Sequence, residues 1–338
     1  MKILLTGASG FVGSAVMRHL TRERLEIKVL IRESSNKLNL DGYGVEICVG
    51  DLLDMNSLKS AVEGCDILFH TAADYRIWAP NPKEMMDTNV LGTKNIMTVA
   101  ANAGVKKIIY TSSVAALGPN NNGDQTNEET SWALHDKIGP YKQSKFLAEA
   151  EVLRMHREQR LPVVVVNPSA PIGPGDVKPT PTGRLVLQAA SGQVPAYVDT
   201  GLNVVHVDDV AEGHFLALEN GKEGEKYILG GDNITIKKIL TMIAEVSGRK
   251  PPSIKLPHNL ILPIAYIAEV WAKYISGNEP FANVDSVKMA KKPMYYSSEK
   301  AIMELGYRPR PVKEAFIDSI KWFDEHGYIE LIKKKLVK

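Results

Sequence analysis

Cysteine is almost missing from this chain: two of 338 residues, Cys48 in an apolar strand-like run and Cys65 beside Asp66. Two thiols are too few for a disulfide framework and lack metal-ligand spacing, so both read as buried thiols of a reducing compartment. An excess of one charge sign is missing too. With 41 Lys and Arg against 39 Asp and Glu, the molecule has no strong field to gather nucleic acid, which argues against that class of partner. A long apolar run is also missing. The most apolar late stretch, "NLILPIAYIAEVWAKYI" from Asn259 to Ile275, contains Pro263, Glu269 and Lys273, and it is shorter than the about 20 residues a membrane span needs. Met1 is followed directly by "KILLT" and a glycine turn, leaving no room for the regions of a signal peptide. These absences point to a cytoplasmic protein. Metal-binding clusters, internal repeats and low-complexity segments are likewise missing, and the closing "LIKKKLVK" reads as a solvated basic tail.

What is present is an alternation. Short β-branched apolar runs, "KILLT" (Lys2 to Thr6), "IKVLI" (Ile27 to Ile31), "VEICV" (Val45 to Val49), "DILFH" (Asp66 to His70), "KIIYTS" (Lys107 to Ser112) and "PVVVVN" (Pro162 to Asn167), alternate with stretches of helical period. That pattern predicts an α/β fold in which a doubly wound parallel sheet of six strands is covered by helices. The helices are expected from Gly10 to about Arg22, after Asn56, from Asn81-Pro82, and from Pro140 to Arg160. Asn81 as N-cap with Pro82 next is a strong start signal, and Pro140 has the same role for the last of them. After Asn167 comes "NPSAPIGPGDVKPTPTGR", read as a long loop; such length usually marks function. "VVHVDDVAEGHFLALE" then returns to the sheet's style, and the remainder from about Asp232 reads as mainly helical. The expected division is a first domain over 1–168 with 202–230 returning to it, and a smaller second domain from 169–201 and 231–338.

The first strand ends in "TGASGFVG". In a strand-turn-helix setting, Gly7 permits the tight turn, Gly10 lets a pyrophosphate approach the backbone, and Gly13 lets the helix lie close on the strand. The free N–H groups and positive end of the helix then face the phosphates. A merely flexible turn is the bland alternative, but the position in a βαβ unit favours a dinucleotide. At the end of the second strand, "VLIRESSN" puts Arg32 where an NAD site usually has an acid, with Ser34 and Ser35 beside it. That favours NADP(H); NAD(H) remains possible if Glu33 serves the ribose. Asp51, after the third strand, either meets the adenine or caps a helix.

The fifth strand runs out into "TSSVAALG", and "GPYKQSK" follows with Tyr141 and Lys145 at i and i+4 on one helical face. A phenol with a pKa near 10 must be lowered by about three units, roughly 4 kcal/mol, to exchange protons near neutrality. A neighbouring ammonium works in that direction. Lys142, the extra charge, is expected to face water.

Together, TGxxGxxG, a serine after the fifth strand and Tyr-x-x-x-Lys resemble the extended short-chain dehydrogenase/reductase superfamily, the NAD-dependent epimerase/dehydratase type, over essentially the whole chain. The stretches "AADYRIWAP", "IGPYKQSKFLAE", "PAYVDTGLNVVHVDDVAEGH", "YILGG" and "SSEKAIMELGYRPRP" are similar to its dihydroflavonol-reductase-like branch and to the hopanoid-associated sugar epimerases. The resemblance implies a Rossmann domain with a smaller C-terminal substrate domain. It implies that Tyr141 is the general acid/base, Lys145 its partner and ribose ligand, and Ser113 the group orienting the substrate oxygen. Ser113 is preferred to Ser112 because it precedes Gly118 by the family's spacing. Asn89 takes the place of an asparagine that supports the lysine. Gly7, Ser9, Gly10, Phe11, Val12, Arg32, Asp51, Leu52, Ala72, Ala73, Thr111, Pro168 and Ser169 are implied on the cofactor. Asp74, Tyr75, Arg76 and Arg184 are candidates on the substrate, with Trp78 and Lys178 as lesser ones. His206 reads as a strand residue before an Asp-capped helix. Leu202 stands where nucleotide-sugar enzymes of the superfamily commonly carry a diphosphate-binding arginine. The expectation is therefore an NADP(H)-dependent oxidoreductase acting on a carbonyl or secondary alcohol. A sugar epimerase or dehydratase with bound NAD and a non-enzymatic NADP-binding regulator are the alternatives, and a homodimer is possible.

Overall fold

The computed structural model of the chain describes residues 1–76, 81–118, 125–130, 139–272 and 284–330. Strands β1 (Lys2–Thr6), β2 (Glu26–Ile31), β3 (Glu46–Val49), β4 (Ile67–His70), β5 (Lys107–Thr111) and β6 (Val163–Pro168) begin and end within a residue or so of the apolar runs in the sequence. Three short strands follow, β7 (Ala170–Ile172), β8 (Ala196–Val198) and β9 (Gly201–His206), then β10 (Lys226–Leu229), β11 (Asp232–Thr235) and β12 (Ile254–Leu256). The helices are α1 (Phe11–Arg22), α2 (Met55–Val62), α3 (Pro82–Met86), α4 (Gly92–Asn102), α5 (Gly139–Gln159) and α6 (Pro181–Ala190). Further on lie α7 (Val207–Asn220), α8 (Ile236–Ser247), α9 (His258–Trp271), α10 (Val284–Met289), α11 (Glu299–Leu305) and α12 (Val312–Glu325).

The main sheet has seven parallel strands in the order β10-β6-β5-β4-β1-β2-β3. Its direction reverses between β1 and β4, and a crevice opens there at the carboxyl ends of the strands. Alternate side chains explain the two covered faces. Ile3, Leu5, Val29 and Phe69 enter the core with α1 and α7, while Leu4, Leu30, Leu68 and Ile108 enter the other with residues of α2, α4 and α5.

Three readings change. The strand containing "VVHV" is β9, which pairs with β7 and β11 in a separate three-stranded sheet; the strand that rejoins the main sheet is β10. The C-terminal region therefore combines its helices with β11 and with β12, which pairs β8. The long Pro/Gly loop is divided by β7 and ends at Thr180, whose hydroxyl caps α6 ahead of Pro181. Asn81 caps α3 as its spacing predicts, its side chain accepting from the Lys83 N–H.

Among the described residues no helix is long and apolar enough to cross a membrane, and no cluster of His, Cys, Asp or Glu could hold a metal. Cys65 is buried, but Cys48, on the edge strand β3, is only half-buried.

Candidate active site

The turn after β1 is compressed. Gly7 has φ +79°, and a Cβ there would lie 2.6 Å from the Ala72 nitrogen on the chain leaving β4. A Cβ on Gly13 would lie 2.1 Å from the Gly7 carbonyl oxygen, so only glycine lets α1 start this close to β1. Gly10 precedes α1 as its N-cap, and no side chain caps that end. The first-turn N–H groups of Phe11 and Val12 thus face the crevice without a side-chain acceptor, the arrangement an anionic phosphate satisfies. Asn39 ties the surrounding loops: its Nδ2 donates to the Gly175 carbonyl at 3.0 Å and, weakly, to that of Ser9 at 3.5 Å.

Farther along the edge, Arg32 follows β2 with an exposed side chain and a tight turn in which its N–H donates to Ser35 Oγ at 3.1 Å. Asp51 follows β3, its carboxylate accepting from the Leu53 N–H at 2.9 Å. It is not the cap of α2; that is Asp54. Leu52 is buried behind it, and Ala73 lies half-buried next to Ala72.

Around the switch point the groups converge on α5. The Ser113 hydroxyl stands beside the Tyr141 phenol, whose pKa it lowers, and accepts from the Ala115 N–H at 3.1 Å, which fixes its position. Lys145 is almost fully buried; its Nζ donates to the Thr111 carbonyl at 2.9 Å and lies 5.4 Å from the centre of the Tyr110 ring. Burial lowers its pKa to about 8, with Glu149 opposing. Tyr141 behaves differently from the sequence expectation. Its pKa is raised, first by burial; the Ser113 hydrogen bond pulls the other way, and the Asp74 carboxylate adds to the rise. Lys145 is not among the groups acting on it.

Asn89, in a single π-helical turn (Asp87–Leu91), makes three hydrogen bonds. It accepts from the Asp74 N–H at 2.7 Å and donates to the Asp74 carbonyl at 2.8 Å and to Ser144 Oγ at 2.9 Å. None of these reaches Lys145; Asn89 instead fixes the chain after β4 against α5. Lys142 is also a correction. It is buried beside α10, where burial lowers its pKa to about 8 and Asp285 works against the fall.

Of the substrate candidates, Asp74 pairs with Arg76 at 2.5 Å. The Tyr75 hydroxyl donates to the Lys178 carbonyl at 3.2 Å, and its pKa is pushed up to about 12 by burial and then by Asp176, with Arg184 opposing. Asp176 was not singled out by sequence, yet it is buried, accepts from the Thr180 N–H and hydroxyl, and is raised to about 6 by burial. "GDVKPT", an acid four residues before a threonine, was its available signal. Trp78 lies outside the described residues.

Sequence reasoning also missed the buried polar layer beneath the site. His70 lies between Thr6 Oγ1 (2.8 Å) and Thr93 Oγ1 (3.0 Å), and burial and then Lys145 lower it to about 3. His214 meets Thr111 Oγ1 at 2.8 Å and the Val210 carbonyl at 2.7 Å, and burial lowers it to about 4. Glu149 accepts from Ser112 Oγ (2.5 Å) and Asn167 Nδ2 (2.7 Å), with Lys226 Nζ at 3.6 Å. Ser112 is thereby occupied inside, leaving Ser113 for Tyr141. Ser169, next to Pro168 at the end of β6, has a buried Oγ with no protein partner among the described residues, as does the Oδ1 of Asn167. Buried polar atoms of this kind normally find a partner. Together with the uncapped α1 and the glycine cradle, they fit a dinucleotide lying across the crevice.

His206 ends β9 and is itself the cap of α7, in place of the expected aspartate. Its Nδ1 accepts from the Asp208 N–H at 3.0 Å, so the proton sits on Nε2, which donates to Asp318 at 3.2 Å. Leu202 lies mid-strand in β9, opposite Ile234.

Comparison with known proteins agrees with this architecture. The chain is 41% identical over 330 residues, 96% of its length and 95% of the relative's, to a Synechocystis protein named "Putative dihydroflavonol 4-reductase". It is 33% identical to sterol demethylase protein B of Methylococcus capsulatus, over 97% of this chain and all of that one (100%). The crystal structure of gox2253 superposes with a TM-score of 0.88 at 51% identity, covering 98% of this chain and 99% of that chain. The model of the NAD dependent epimerase/dehydratase family matches residues 3–230, from β1 through β10. With its glycine turn, seven-stranded sheet and Tyr-x-x-x-Lys helix, the chain belongs to the NAD dependent epimerase/dehydratase family.

Proposed function

We propose that the protein is an NADP(H)-dependent oxidoreductase that interconverts a carbonyl and a secondary alcohol at Ser113, Tyr141 and Lys145. The observation that carries this reading is the juxtaposition of Ser113 with Tyr141, close enough to lower the phenol's pKa, at the end of β5 with Lys145 one helical turn along α5 and tied to the Thr111 carbonyl. When bound, the nicotinamide supplies or accepts the hydride. The chain's own residues handle the oxygen. Ser113 holds it, and Tyr141, kept as a neutral phenol by burial and by Asp74, gives it a proton as the alcohol forms. In the reverse direction Tyr141 takes that proton back. Lys145, fixed by Thr111, lies beside the expected position of the nicotinamide ribose.

NADP(H) is favoured over NAD(H) because the exposed group after β2 is the Arg32 guanidinium, a suitable partner for an additional phosphate. A reductase is favoured over a nucleotide-sugar epimerase because Leu202 offers no charge to a diphosphate. The reductase name carried by the Synechocystis relative points the same way. Purified protein, denatured and assayed for released nucleotide, tests the choice: a reductase with exchangeable cofactor releases little. One equivalent of NAD per chain overturns it in favour of the epimerase. Tyr141→Phe should lower kcat/KM for carbonyl reduction by roughly 10²–10⁴-fold while leaving NADPH binding intact; undiminished turnover removes Tyr141 from the proton transfer.

A further inference from the structure

Helix α9 is built inside out. The side it turns to the protein carries the small residues Ala265, Ala268 and Ala272, at 0%, 6% and 1% exposure, with half-buried Ile261 and Leu262 packed beside them. The outward side carries Leu260, Tyr266, Ile267, Val270 and Trp271, at 62%, 49%, 71%, 57% and 57%. These five recur at steps of three, four and seven residues, so they form one stripe along the helix. A helix facing only water gains nothing from that arrangement. Scattered exposed apolar residues are ordinary, but a contiguous stripe of five large ones marks a contact surface.

The charge around α9 says what covers it. Between residues 249 and 292 the sequence carries seven basic residues against three acidic ones, whereas the whole chain has 41 against 39. His258, at the start of α9, bonds the Ala290 carbonyl at 2.8 Å, which brings the segment Lys288, Lys291 and Lys292 to that end of the helix. Each of these three lysines is exposed. Nearby acids already have partners. Asp199 pairs with Lys255 at 2.6 Å, Glu269 accepts from the Val284 N–H at 2.7 Å, and Asp285 is shared between Lys288 and buried Lys142. A second copy of the chain meeting the same face about a twofold axis would set these lysine clusters near one another, which is unfavourable. An anionic bilayer is complementary to both features: apolar and aromatic side chains enter the headgroup boundary while lysines meet the phosphates.

We propose that α9, flanked by Lys288, Lys291 and Lys292, seats the protein on the surface of an anionic membrane. No helix spans it; the contact is one-sided. α10 packs on α9 through Val284 and Val287, and its Asp285 carboxylate lies against Gly139 and acts on Lys142, at the end of α5 that carries Tyr141. The membrane contact therefore lies one helix away from the catalytic helix. The proposal concerns binding and does not depend on the reaction assigned above.

Flotation of the purified full-length chain with phosphatidylcholine vesicles, with and without phosphatidylglycerol, tests it. Binding is expected only when phosphatidylglycerol is present, and is expected to weaken as salt is raised. Ile267→Glu should lower partitioning at least about tenfold, and Lys291→Ala with Lys292→Ala roughly fivefold per lysine lost. Circular dichroism and thermal melting should show both variants folded, as expected for exposed positions. Three results would overturn the proposal. They are no binding to anionic vesicles, equal binding to neutral ones, or a dimer in sedimentation equilibrium that Ile267→Glu dissociates, which would assign the stripe to a second copy.

Discussion

Beneath the site, Thr6, His70, Thr111 and Asn167 end four apolar strands with buried polar side chains that hydrogen-bond neighbouring strands and helices. At the rim, α9 sends its large apolar side chains outward and its alanines inward. The two regions depart from the usual pattern in opposite directions, polar inside and apolar outside, and each departure is locally consistent. Most buried polar atoms in the floor are paired; among the described residues, the Tyr110 hydroxyl, Asn167 Oδ1 and Ser169 Oγ are not. A largely connected polar layer holds strand ends in one geometry, as the juxtaposition of Ser113, Tyr141 and Lys145 requires. Among the described residues of α9 the side-chain polar contacts are those of His258 with the Ala290 carbonyl and Glu269 with the Val284 N–H, and its outward stripe is apolar.

The largest expected effect falls on the floor. Glu149→Ala removes a buried carboxylate from Ser112, Asn167 and Lys226 together, and breaking a buried charged network of this kind typically costs 3–5 kcal/mol. Chemical denaturation should show a loss of about 3 kcal/mol. A loss below about 1 kcal/mol would mean that the floor is not a mutually supporting layer.

Acid should act on the same layer. His70 and His214 are held neutral, at about 3 and about 4, against an unfolded value near 6.5. The unfolded chain therefore binds protons that the folded chain refuses, so stability is intact above about pH 6.5 and falls as the pH drops toward 4. The slope is about 1.4 kcal/mol per pH unit for each histidine. Melting temperatures recorded from pH 7 to pH 4.5 should fall more gently in His214→Gln than in the parent chain. Parallel curves would show that the His214 ring is not protonation-linked to folding.

Arg32 separates exposed groups that serve binding from exposed groups that serve a surface. Arg32→Ala should leave stability unchanged and weaken NADPH by about tenfold or more relative to NADH, read by titration of cofactor fluorescence. Equal weakening of the two cofactors would remove the basis for the NADP(H) assignment.

Much of this contrast was only half legible in the sequence. The six strands were readable because each is a continuous β-branched run bounded by turn residues, and Asn81-Pro82 was readable because capping is local. β8 and β12 were not, since three residues show no period. Ser113, Tyr141 and Lys145 were recognisable from residue type and spacing. The burial of Lys142 was not, because Asp285, which compensates it, is 143 residues away in the chain. Asn89 was read as a support for Lys145, but its partners are Asp74 and Ser144, and they depend on a π-helical turn that no local pattern announces. The direction of the Tyr141 shift was missed for a related reason. An i,i+4 pair shares a helical face, but the Lys145 amine is drawn to the Thr111 carbonyl and away from the phenol.

The smallest expected effect lies on α9, and it is the one that most sharply divides the two regions. Ile267 is 71% exposed and Ala265 wholly buried, although a sequence-based reading by hydropathy would rank isoleucine as the core residue. Ile267→Ser should change stability by less than about 0.5 kcal/mol, as for an ordinary surface substitution. Ala265→Leu, on the other side of the same helix, should destabilise by about 1–3 kcal/mol because Ala265 is wholly buried in a cluster with Val284 and Val287 of α10. Denaturation of the two variants in the absence of vesicles measures this difference directly. Were the order reversed, α9 would pack with its large residues inward and the outward stripe would not exist; the membrane-facing role depends on that orientation of the helix.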